Sequence, residues 1–142
     1  GGDISGGTLQ TGLATTSKLW GTQHITTAET QNMDCVAGST ITMTSNGGLV
    51  EFSVHIASAT TNSTTPQLAS LLVDGDHPDG FGADRWAFYN LSADNGENES
   101  MDWSWVTTVS AGSVDFCLTA GSTGGATMTM KCPCRVTAKD ID

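Results

Sequence analysis

The sequence predicts an all-β fold: an antiparallel jelly-roll sandwich of about eight strands, preceded by an extended N-terminal arm. Three observations lead there. From Cys35 onward, apolar side chains recur at every second position in short runs. Gly-, Asn- and Ser-rich turns separate these runs roughly every ten residues, the rhythm of a sandwich or jelly roll. Helix formers are scarce, whereas Thr and other residues that favour extended backbone abound.

Residues 1–34 come first and have no period. Two Gly-Gly pairs and isolated apolar residues (Ile4, Leu9, Leu13, Leu19, Trp20, Ile25) leave too little to bury against the ordering entropy of the segment. The expectation is an anchor arm held by a neighbouring subunit. Residues 35–142 form the head. Thr40 to Ser45 alternates with Ile41 and Met43 on one face, and Asn46-Gly47-Gly48 is a turn. In Leu49 to Ala57, Val50, Phe52, Val54 and Ile56 face one way, with Glu51, Ser53 and His55 opposite. Gln67 to Val73 is a buried strand ended by the turn-rich segment Asp74 to Gly80. Arg85 to Leu91 is short and aromatic. Met101 to Val109 puts Met101, Trp103, Trp105, Thr107 and Val109 on one face, and Ala111-Gly112 turns into Ser113 to Thr119, with Val114, Phe116 and Leu118 together. Ala126 to Lys131 and Cys134 to Ala138 read as two last strands. No internal repeat and no second domain is visible.

Charge narrows the partners. Fifteen acidic against five basic residues give a net charge of −10, and Lys18, Arg85, Lys131, Arg135 and Lys139 are spread along the chain. A phosphate-binding protein needs a basic stripe, so nucleic acid and anionic membrane surfaces are excluded as expected partners. The apolar runs are too short to span a bilayer as helices. No signal-peptide pattern opens the chain. Only 14% of residues are charged, yet the 37% hydrophobic content exceeds that of a disordered tail.

Four cysteines, Cys35, Cys117, Cys132 and Cys134, admit two bridges with three connectivities, or four reduced thiols. In a regular strand Cys132 and Cys134 share a face, which would send each to a separate partner, Cys35 or Cys117. Asp74, Asp76 and Asp79 crowd one turn around His77 with Asp84 nearby, and such carboxylates suit calcium, although no distal Glu completes an EF-hand pattern. Asp94, Glu97, Glu99 and Asp102 form a second acidic cluster, in a polar loop without the cleft and fixed separation that glycoside hydrolysis needs. His24, His55 and His77 are dispersed, and no nucleophile motif or phosphate loop is present. The sequence therefore predicts no catalytic residue, no enzyme and no required cofactor. Asn62, Asn90 and Asn98 stand in N-x-S/T triplets, a pattern that also arises by chance in a Ser/Thr-rich chain.

The order TITMTSNGGLVEFSVHI, LLVDG, WSWVTTVSAGSVDFCL and a final RVTAKDI resembles the jelly-roll head shared by tumour-necrosis-factor-like and C1q-like domains, phage fibre tips and capsid decoration proteins. The matching features are Asp74-Gly75 ending a strand and the hairpin Trp105 through Leu118. The likeness covers Thr40 to Ile141. Val114 stands where that group often has His or Thr, and no collagen-like repeat precedes the head. The resemblance implies a homotrimer, one sheet of each subunit packed about a threefold axis. It implies a virion-surface protein, capsid decoration or fibre head, attached to capsid or fibre subunits by its arm. Trp86, Phe88, Tyr89, Trp103 and Trp105 are then candidates for the interface. Two alternatives stand beside it. One is a secreted, calcium-dependent carbohydrate-binding module stacking Trp86, Tyr89 or Trp103 on a host-surface glycan. The other is an extracellular receptor-binding ligand of the C1q/TNF type.

Overall fold

The computed structural model describes residues 13–27, 34–62, 67–76, 78, 89–91, 98–122 and 126–141. Among these residues run ten β segments: β1 Thr15–Trp20, β2 His24–Thr26, β3 Asp34–Cys35, β4 Ile41–Ser45, β5 Gly48–Thr61, β6 Gln67–Val73, β7 Tyr89–Leu91, β8 Asn98–Val109, β9 Gly112–Ser122 and β10 Met128–Asp140. Among the described residues no helix is long and apolar enough to cross a membrane.

All pairings are antiparallel, in two sheets. Sheet I runs β1–β10–β5–β8, with β2 beside β10; sheet II runs β3–β9–β6–β7, with β4 beside β9. β1 and β2 share one edge of β10, and β3 and β4 share one edge of β9. The ten segments thus occupy eight strand positions, those of a jelly-roll sandwich.

Alternation builds the core. Val50, Phe52, Val54 and Ile56 of β5 meet Val114, Phe116 and Leu118 of β9 across the sandwich, all buried. Phe52 and Phe116 stack with centroids 4.3 Å apart, joining the two sheets at the centre. Ile41 and Met43 of β4 and Met128 and Met130 of β10 close its ends. The predicted grouping of Met101, Trp103, Trp105, Thr107 and Val109 is correct and faces inward.

Three expectations need correction. The boundary at Cys35 does not separate an arm from a head, because all six residues of β1 pair with β10, from Thr15↔Lys139 to Trp20↔Cys134. Trp20 packs on Gly38, where an added Cβ would come within 2.7 Å of its ring. The last two predicted strands are one, β10, with a bulge between Lys131 and Cys134. That bulge breaks the strict alternation on which the cysteine reading relies. Cys132 and Cys134 are bonded to each other, with Cα atoms 4.4 Å apart, and Cys35 is bonded to Cys117 across 82 residues.

The β8–β9 hairpin turns at Gly112, whose φ is +116°. No atom outside its own chain neighbours stands within 4 Å of a Cβ added there, so only the backbone resists a larger residue. Gly112→Ala should therefore cost about 1–3 kcal/mol in urea unfolding, and Gly112→Val more, because a β-branched side chain also meets its own backbone at positive φ. Unchanged stability in Gly112→Ala would mean that the turn accepts a side chain without strain.

Candidate interaction face

The outward side of sheet I is ruled into rows by strand register. Thr15, Lys139, Glu51 and Val106 lie side by side; next come Ser17, Thr137, Ser53 and Ser104, then Leu19, Arg135, His55 and Asp102. Each row crosses β1, β10, β5 and β8, so residues far apart in sequence become neighbours about 5 Å apart.

The first and third rows hold the charge. Lys139 Nζ lies 3.5 Å from Glu51 Oε1. His55 Nδ1 hydrogen-bonds Asp102 Oδ1, both partners partly exposed. With Arg135 beside His55, these rows carry Lys139 and Arg135 against Glu51 and Asp102, two cations and two anions. A chain of net charge −10 thus has one locally neutral face. The middle row is all hydroxyl, with Ser17 Oγ and Thr137 Oγ1 2.9 Å apart. Between the rows lies a shallow depression of about 340 Å³ lined by Ser53, His55, Asp102, Ser104 and Arg135.

Apolar side chains frame the rows. The large hydrophobic residues left exposed among the described residues are Leu13, Leu19, Ile25, Leu49, Val106 and Ile141. All six belong to this one face. Leu19 and Val106 stand in the rows themselves. Leu49 precedes Glu51 by two positions, Leu13 precedes Thr15 by two, and Ile141 follows Lys139 by two, its N–H bonded to Leu49 O at 3.0 Å. Ile25 sits opposite Thr129, between a half-buried and a buried neighbour. Leu19 is 72% exposed, an unusual position for a leucine in a paired strand.

Leu13, Leu19 and Ile25, which the sequence offers as isolated apolar residues of an arm, thus belong to this face. Trp103 and Trp105 stand on the inward side of β8 and pack half-buried against the core. Trp86 and Phe88 lie outside the described residues, as do Ile4, Leu9 and Asp79, and Tyr89 is described only as a backbone pair with Ala69. Of the calcium candidates, Asp74 Oδ1 accepts the Asp115 N–H at 2.9 Å, which commits one carboxylate oxygen to the turn. Among the described residues no three His, Cys, Asp or Glu side chains gather as a metal site. Asn62 Oδ1 accepts the Thr127 N–H, and Asn98 Oδ1 accepts the Ser58 hydroxyl.

The sequence does not reveal the His55–Asp102 pair or the face around it. In the sequence His55 reads as a polar-face histidine and Asp102 as part of an acidic loop. Only the β5–β8 register brings them together, and that neighbour relation skips β6 and β7.

No family model matches the chain, and no curated protein matches it. The chain is similar to several solved structures, all at low identity and with TM-scores below 0.5. A CBM36-1 domain of a multidomain xylanase from the hindgut metagenome of Trinervitermes trinervoides is 8% identical, with a TM-score of 0.45, over 91% of this chain and 98% of that one. An exo-β-1,3-galactanase from Phanerochaete chrysosporium is 14% identical, with a TM-score of 0.38, over 88% of this chain and 29% of that one. A structure of infectious bursal disease virus, Gx strain, is 11% identical, with a TM-score of 0.39, over 91% and 37%. None of these likenesses assigns a family.

Proposed function

We propose that this chain is a non-enzymatic structural head that assembles as a homotrimer through the outward face of sheet I and is displayed on a virion, as a capsid-decoration or fibre-head element. The observation that carries the reading is the gathering of all six exposed large apolar residues on one charge-balanced face. Another copy of the same chain suits that face. Acid-rich surfaces repel one another, and two copies approach at least cost where Lys139, Arg135, Glu51 and Asp102 cancel. Closed homo-oligomers reuse one surface in this way.

The strand order supports a head of the tumour-necrosis-factor-like and C1q-like type. With β1/β2 and β3/β4 each counted as one position, sheet I joins the first, eighth, third and sixth positions, and sheet II the second, seventh, fourth and fifth. That resemblance packs one sheet of each subunit about the threefold axis, and sheet I is the one with apolar residues on its outer side. Because β1 and β2 belong to the sandwich, attachment to a shell or fibre falls to the residues before Leu13. Two disulfides fit a protein that works outside a reducing cytosol. The carbohydrate-binding alternative draws less support from Trp103, which packs half-buried against the core.

Leu49→Glu combined with Val106→Glu places two carboxylates among the apolar residues without touching the core. Light scattering should then show the native mass falling from three chains to one, with an unchanged far-UV spectrum. A wild-type chain that is monomeric at tens of micromolar would sink the trimer.

A further inference from the structure

The two disulfides hold very different things together. Cys35–Cys117 spans 82 residues and ties β3 to β9, whereas Cys132–Cys134 spans two and encloses only Pro133. A crosslink restricts the unfolded chain according to the loop it closes, so the short bond takes little from the unfolded ensemble. Linkage runs both ways: folding stabilises a disulfide by as much as the disulfide stabilises the fold. The long bond is therefore protected by the fold, and the short one is not.

The backbone around the short bond points the same way. On one edge of β10, pairing with β5 jumps from Lys131↔Ser58 to Cys134↔Ile56. On the other edge, β2 ends at His24↔Met130 and β1 begins at Trp20↔Cys134. No strand pairing passes through Cys132 or Pro133, so opening the bond leaves both ladders intact. Cys134 is buried, at 1% exposure. Cys132 is half-buried and lies between exposed Lys131 and exposed Pro133, with exposed Arg135 just beyond. Its sulfur sits 3.5 Å from the carbonyl oxygen of Thr22, in the exposed β1–β2 link. Cys35 is exposed too, so access alone does not separate the two bonds; linkage does.

We propose that Cys132–Cys134 is an exchangeable disulfide, a site of reversible covalent attachment for anionic thiols of the glutathione class. The incoming thiolate attacks Cys132 Sγ, the more accessible sulfur. A new sulfur–sulfur bond forms between the thiol and Cys132 as the Cys132–Cys134 bond breaks. The electron pair leaves on Cys134 Sγ, which takes up a proton from water. Return attack by the Cys134 thiolate on Cys132 expels the thiol and restores the starting bond. A second thiol instead takes the first from Cys132, giving a dithiol protein and an oxidised thiol dimer, with two electrons passed to the protein. Lys131, exposed beside Cys132, favours the approach of an anionic thiol and the thiolate it carries.

The test uses the native chain in buffers of graded reduced-to-oxidised glutathione ratio, quenched with acid and mapped by mass spectrometry. A glutathione adduct should appear on Cys132. Cys132 and Cys134 should become alkylatable at ratios that leave Cys35–Cys117 intact, with the melting temperature moved by less than about 3 °C. In Cys134→Ser, which lacks the resolving sulfur, the adduct on Cys132 should form from oxidised glutathione and leave only by attack of a second thiol, at a rate proportional to the reduced glutathione present. Lys131→Gln should slow exchange with glutathione more than exchange with neutral 2-mercaptoethanol. A Cys132–Cys134 bond that survives until Cys35–Cys117 opens would overturn the proposal. So would simultaneous opening of both bonds with unfolding, or Cys132 and Cys134 found as thiols in the untreated protein.

Discussion

Replacing Cys35 and Cys117 together by alanine should cost about 4 kcal/mol of folding stability. The loop they close is 82 residues long, so without the bond the unfolded chain regains most of the freedom that one crosslink can remove. The native state gains little in return, because β3 contributes only two pairs, Asp34↔Ala120 and Cys35↔Thr119. Alanine is the suitable replacement at position 117: the site is 5% exposed, and a serine hydroxyl there would add a burial cost of its own. Without reductant, the denaturation midpoint should fall at unchanged slope, and the melting temperature should drop by roughly 8–16 °C. A loss below about 1 kcal/mol would mean that the unfolded chain is already held compact by other means.

Asp140→Ala should cost about 3 kcal/mol, through buried donors left without an acceptor. The Asp140 carboxylate is 5% exposed and accepts three hydrogen bonds: from the Ser45 hydroxyl at 2.6 Å, the Ala14 N–H at 3.0 Å and the Asn46 N–H at 3.2 Å. Ser45 Oγ in turn accepts the Gly47 N–H at 3.0 Å. One side chain thus joins the start of β1, the β4–β5 turn and the end of β10. Burial pushes the carboxyl pKa upward, but the bonds from Ser45, Ala14 and Asn46 outweigh it and hold the group below the usual carboxylate range. The sign follows. A folded-state pKa below the unfolded value means that the stabilisation is complete above the unfolded carboxylate pKa and is lost as pH falls through the lower, folded one. Wild-type stability should therefore drop on acidification into and below the carboxylate range, whereas Asp140→Asn should start lower and show a flatter acid limb. Parallel acid limbs in the two proteins would remove Asp140 from the account.

Much of the fold is legible in the sequence because it rests on alternation. Period two places Ile41, Met43, Val50, Phe52, Val54, Ile56, Val114, Phe116 and Leu118 on their faces, and each is buried. What escapes lacks that signature. β1 reads as an arm because its burial pattern has no alternating apolar face; it is held by backbone pairing with β10, by the carboxylate of Asp140 and by Trp20 on Gly38. The Cys132–Cys134 bond is hidden because a bulge, not a regular strand, carries it. Aromatic content points to Trp103 and Trp105 as interface residues, yet both fill the edge of the core. The candidate face is made instead of leucine, isoleucine and valine that look ordinary one at a time. Those residues come together only through the order of strands in sheet I, a non-local property that a linear pattern does not contain.

The pairing of β1 with β10 also fixes how the molecule answers to pulling. Leu13 and Ile141 leave from the same pole, because Ala14 and Asp140 are bonded backbone to backbone at 2.8 Å. Tension between these two ends would peel the strands apart like a zip, breaking one rung at a time at low force. Tension between Leu13 and the opposite pole would slide β1 along β10 and strain its six rungs in parallel. A head tethered through one end and gripped at its far tip would therefore resist in its stiffer direction.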